Sequence, residues 1–175
     1  MIRSLRHSLF GCIIVAALLV AVSTVGAATA TATLGAGSLS ITAAPANLSY
    51  SGTLTGDVLN LTSSFAVGVT DATGSKAGWN LQAQIGTLTT VGSDTIPAAN
   101  HTITGVAVSG VKGTAPTNTI ALGAIPTTSG KIYDATALTG MGQSTMTFAT
   151  KLQVPADAAA GTYSATMTVT IVSGP

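Results

Sequence analysis

Few residues in this chain could do chemistry. They are Lys76, Lys112, Lys131 and Lys151, then Asp57, Asp71, Asp94, Asp134 and Asp157, with His101 and the single cysteine, Cys12. There is no glutamate, and the other basic residues, Arg3, Arg6 and His7, cluster at the N-terminus. A Ser–His–Asp relay would have to use His101, with Asp94 the nearest acid in sequence, and no nucleophile elbow surrounds either. A metal site needs several convergent ligands, whereas the aspartates are scattered rather than spaced as a calcium loop and the histidine stands alone. The chain is therefore expected to be no enzyme and to carry no cofactor and no metal.

Trp79 offers a different chemistry. Its flat indole can stack on a sugar ring while its N–H reaches a polar partner. The same side chain can instead fill a core, and its neighbours favour that role: Trp79, Leu81, Ala83 and Ile85 alternate with Asn80, Gln82 and Gln84. Asp71, eight residues before Trp79, opens a turn-forming stretch, Ala72 to Gly78, and reads as a side-chain cap of that turn.

The N-terminus reads as a secretory signal peptide over residues 1–28. Arg3 and Arg6 precede an uncharged apolar stretch from Leu9 to Val22, and small residues around Ala27 to Ala30 supply cleavage sites. Leu9-Phe10-Gly11-Cys12 is similar to a lipoprotein box, but Cys12 sits near the start of the apolar stretch rather than at its end. Cys12 is thus expected to leave with the signal, so that no disulfide and no membrane span remain. The product keeps four lysines against five aspartates, a net charge of −1. That balance provides no basic stripe for phosphate, which argues against nucleic acid as a partner.

Thr, Ala, Gly, Ser and Val dominate the rest, a mixture that suits short strands and turns better than helices. Residues 29–37 read as a flexible spacer and 38–175 as one domain. Strands are predicted at Ser38–Thr42, Leu48–Leu54, around Phe65, Val67 and Val69, and from Trp79 to Ile85, the last two joined as a hairpin. Further strands are expected at Ile103–Val111, Thr119–Leu122 and from Met146 to Val154, with Gly123–Gly142 a long irregular segment. Tyr163, Ala165, Met167, Val169 and Ile171 alternate with Ser164, Thr166, Thr168 and Thr170, the clearest period of two in the chain. The pattern predicts a single antiparallel β-sandwich, immunoglobulin-like, with the apolar residues inside and Asn80, Gln82, Thr166, Thr168 and Thr170 outside.

Two stretches carry a resemblance. Val67-Gly68-Val69-Thr70-Asp71-Ala72-Thr73-Gly74, followed by Gly78-Trp79-Asn80-Leu81, is similar to the proximal motif of the WxL domain family of Gram-positive surface proteins. Gly161-Thr162-Tyr163 through Ile171, with Pro175 closing the chain, resembles the family's distal motif, except that Val169 and Ile171 stand where Trp and Leu are expected. The resemblance implies non-covalent attachment to the cell wall through peptidoglycan, with Asp71, Trp79, Asn80, Leu81, Tyr163, Val169 and Ile171 as candidate contact residues. An exported chain whose sequence ends without a sorting-type tail fits such attachment. The other reading is an assembly subunit of a surface layer or fibre, which would self-associate by adding a strand to a neighbour's sheet.

Overall fold

The computed structural model describes residues 30–175. The predicted signal peptide and Cys12 lie outside the described residues. Nine strands follow in chain order: β1 (Leu39–Ala43), β2 (Leu59–Asp71), β3 (Trp79–Ile85), β4 (Leu88–Thr89), β5 (Thr95–Ile96), β6 (His101–Gly113), β7 (Gly130–Ala135), β8 (Gly142–Val154) and β9 (Met167–Ser173). They form a four-stranded sheet, β1-β2-β8-β6, a three-stranded sheet, β7-β3-β9, and a short β4-β5 ribbon. Every pairing is antiparallel. The all-β sandwich expected from the sequence is the fold observed.

Strands β2 and β8 are the spine. They pair without interruption from Leu59 opposite Val154 to Asp71 opposite Gly142. Alternation turns Phe65, Val67 and Val69 of β2 and Met146 and Phe148 of β8 inward, where all are buried. Phe65 and Phe148 face each other across the pair and stack with ring centroids 4.8 Å apart. From the other sheet, Trp79, Leu81, Ala83 and Ile85 complete the same core, with Tyr133 edge-on to Phe148. Full burial of each large apolar side chain here contributes roughly 1.5–3 kcal/mol. Beyond this core lies a second cluster, in which Leu88, Ile96, Leu152 and Val154 pack with Tyr50, Leu61 and Tyr163.

The structure corrects the sequence reading at five places. Strands β2 and β3 are not a hairpin, because they belong to different sheets and the Ala72–Gly78 turn crosses between them. Leu48–Leu54 forms no strand, although Leu48 and Tyr50 still pack on the clusters. Thr119–Leu122 is not a strand either, and the supposedly irregular Gly123–Gly142 contains β7. Strand β7 shows no alternation because Ile132, Tyr133, Asp134 and Ala135 are all buried. The side chains of Asn118 and Thr119 meet Asp134 on the side of β7 that alternation would have left wet: Asp134 N–H donates to Asn118 Oδ1 at 2.9 Å, and Thr119 Oγ1 donates to Asp134 Oδ2 at 2.6 Å.

The fourth correction concerns Asn80, expected outside and found 3 % exposed. It sits on the central strand of its sheet, opposite Asp134 of β7 and Val172 of β9. Its amide donates to the Gly174 carbonyl at 2.7 Å and its Oδ1 accepts from Gln82 Nε2 at 3.0 Å, which meets the polar requirement of burial. The fifth is the last strand, which begins at Met167 rather than Tyr163 and leaves Ala165 exposed; within it the register is as expected, with Thr168 and Thr170 exposed and Val169 and Ile171 half-buried against the core.

Candidate functional site

Five of the seven site residues proposed from sequence lie on β3 or on β9 beside it: Trp79, Asn80, Leu81, Val169 and Ile171. Asp71 ends β2 and is buried, and its Oδ1 accepts both the Thr73 backbone N–H at 3.0 Å and the Thr73 hydroxyl at 2.7 Å. Thr73 Oγ1 in turn accepts from the Ser75 N–H at 3.3 Å, and Ser75 Oγ accepts from the Ala77 N–H at 3.3 Å. This ladder of short side chains bonding to backbone two residues on is why the stretch turns rather than extends. Gly74 and Gly78 take positive φ, and a Cβ on Gly78 would collide with the Ala135 carbonyl oxygen.

The turn delivers Trp79 into the core, where none of it is exposed. Its indole N–H donates to the Gly140 carbonyl at 3.0 Å, and its ring lies 6.1 Å from that of Tyr133. Leu81, also fully buried, lies opposite Ile171, and Ala83 lies opposite Val169. The two sequence motifs, some ninety residues apart, are therefore neighbouring strands of one sheet. In this arrangement the Trp79 indole is closed to a ligand, and what remains exposed beside it is Ser75, Lys76 and Ala77 of the turn.

Tyr163 is not part of this group. Met167 pairs with Ile85 at the far end of β3, and Tyr163 precedes that pair, with the second cluster. It is half-buried, and its hydroxyl donates to the Ala159 carbonyl at 2.9 Å. There it lines a groove with Tyr50, Leu88 and His101 that sequence reasoning missed. Tyr50 lies in the stretch Leu48–Leu54 that reads as a strand, and nothing in that pattern marks it as the wall of a groove.

His101 opens β6 after a 3-10 turn at Ala98–Asn100 and is 2 % exposed. Neither ring nitrogen has a hydrogen-bond partner among the described residues, and the ring packs 5.1 Å from Tyr50. Burial pushes its pKa below the usual histidine value, which favours the neutral ring. With no carboxylate bonded to it, His101 is not arranged as the base of a catalytic relay. Among the described residues no three His, Cys, Asp or Glu side chains converge on a possible metal position. No described helix is long and apolar enough to cross a membrane, which says nothing of strands.

The fold, with β3 and β9 side by side, defines an antiparallel β-sandwich domain. Residues 35–175 match the family described as "WxL domain surface cell wall-binding", and the chain belongs to that family. The matched span coincides with the compact unit Gly35–Pro175. No curated protein and no solved structure matched the chain.

Proposed function

We propose that this protein is exported and then held non-covalently on the peptidoglycan of its own cell wall by the domain at residues 35–175. One observation carries the reading: the whole compact unit, rather than an appendage of it, corresponds to a cell wall-binding family. The nearly uncharged surface supports attachment through neutral contacts rather than charge. Retention of the purified protein on isolated peptidoglycan sacculi tests it. Binding that survives moderate salt is the expected result, and wash-off in moderate salt would overturn it.

A second reading has one observation in its favour. Among the described residues strand β9 pairs only with β3, so its other edge carries no ladder hydrogen bonds although β1 lies near it, and Thr168, Thr170 and Val172 on its outer face are exposed. An edge of this kind accepts an added strand from another molecule. Sedimentation of the secreted protein separates the two readings, since an assembly subunit runs as ladders or filaments and a wall binder as a monomer.

A further inference from the structure

Two cavities, of about 410 Å³ and about 550 Å³, lie side by side and share Tyr50, Leu88 and Tyr163 in their walls. The first also takes in Asn47, His101 and Ser164, and the second Ile96, Leu152 and Thr162. Together they form one groove between two irregular segments, around residues 45–54 and 159–165. Its size is that of an ordinary ligand pocket.

The composition of the walls selects the ligand. Among the described residues no Asp, Glu, Lys or Arg lines either cavity, and the one imidazole there, His101, is buried without a hydrogen-bond partner. A carboxylate, ammonium or phosphate entering here would lose hydration and meet no opposite charge. A neutral sugar ring has what the groove offers a complement for, an apolar face and a rim of hydroxyl and amide groups. Tyr50 and Tyr163 supply aromatic surface, and Asn47, Thr162 and Ser164 are exposed polar side chains around it. Both tyrosines are held in place beforehand: the Tyr50 hydroxyl is bonded to Thr150 Oγ1 at 2.7 Å and that of Tyr163 to the Ala159 carbonyl. Pre-set rings spare a ligand the entropy of ordering them.

We propose that this groove takes the uncharged glycan backbone of the wall polymer, in preference to its charged peptide or phosphate parts. The assignment rests on the wall-binding reading above and goes beyond it by naming a surface and a ligand chemistry. It moves the contact away from Trp79, whose role is then to hold β3 in the core.

The test is titration of the purified protein with three probes: peptide-free glycan strands of alternating N-acetylglucosamine and N-acetylmuramic acid whose lactyl carboxylates are capped as neutral amides, free stem peptides, and polyglycerol phosphate. Saturable binding to the glycan strands alone is expected, with backbone amide shifts at Tyr50, Tyr163 and Ser164. Ser164→Trp, which obstructs the groove from an exposed position, should weaken binding by about tenfold or more at an unchanged melting temperature, and Asn47→Ala by about threefold. If Ser164→Trp fails to fold, Asn47→Ala and the amide shifts decide. Binding only to stem peptides or polyglycerol phosphate, or glycan-induced shifts confined to other surfaces, would overturn the proposal. Intact sacculi keep the two levels apart: retention of wild type and both variants alike sinks the groove assignment only, whereas failure to retain wild type sinks the wall-binding reading itself.

Discussion

The indole N–H of Trp79 donates to the carbonyl oxygen of Gly140 at 3.0 Å, joining the start of β3 to the loop before β8. Gly140 has φ +71, and a Cβ there would stand 2.7 Å from the indole nitrogen. The tryptophan of the motif and this glycine therefore work as one clamp. The close approach needs a residue without a side chain, and the carbonyl it brings in meets the one polar demand of the buried indole.

Breaking either half of the clamp should destabilise the domain without touching the groove. Trp79→Phe leaves the buried Gly140 carbonyl without its donor and is expected to cost about 1–3 kcal/mol, before any cavity term. Gly140→Ala adds a methyl group against the indole in a left-handed backbone conformation and should cost a similar 1–3 kcal/mol. Urea unfolding reads both. An unchanged midpoint for Gly140→Ala would mean the close approach is not maintained in solution.

Asn80→Ala is expected to behave as a core substitution, despite its polar type. It removes the donor to Gly174 and the acceptor for Gln82, both half-buried, and leaves a small cavity at a buried position, a loss of about 1 kcal/mol or more. Lys76→Ala, in the exposed turn just before, should stay within about 0.5 kcal/mol. Equal melting temperatures for the two variants would show that Asn80 faces water.

His101 should make the domain acid-sensitive. Its folded pKa lies below the unfolded value of about 6.5, so above that pH both states hold the ring neutral and the stability is fully present. As pH falls below about 6.5 the unfolded chain takes up a proton that the folded one resists, and stability is lost until the folded pKa is passed. His101→Leu keeps an apolar volume and removes the titration. Thermal unfolding across pH 4 to 8 should therefore show a shallower decline for the variant, and parallel curves would remove His101 from the account.

What could be read from the sequence follows from how each element is wetted. β2, β8 and β9 each pair an inward apolar face with a more polar outer one, so Phe65, Val67, Met146, Phe148, Val169 and Ile171 were assigned to the correct face. β7 was invisible because Ile132 to Ala135 are buried on both sides, and Asn80 was misplaced because a hydrogen-bonded buried amide has the same letter as a solvated one. The pairing of β3 with β9 was out of reach, since strand order depends on contacts far apart in sequence, whereas the two motifs that those strands carry were legible. The groove left no trace for a different reason. Its walls come from stretches around Tyr50 and Tyr163 that read as strands, and its chemistry lies in their meeting rather than in any one stretch.

Val169→Trp is the variant that separates a structural from a contact role for the distal motif. Val169 is half-buried against the core, lies opposite the buried Ala83 and is absent from the walls of the groove. A tryptophan there has to enter a space fitted to a valine and should cost about 1–3 kcal/mol through overpacking. If the glycan sits in the groove beside Tyr50 and Tyr163, retention on sacculi should be unchanged at temperatures where the variant remains folded. The paired measurement is thermal unfolding and sacculus retention on the same preparation. A lower melting temperature with unaltered retention is expected. Tighter retention would instead make the β9 surface a contact with the wall, and the groove could then no longer be the principal site.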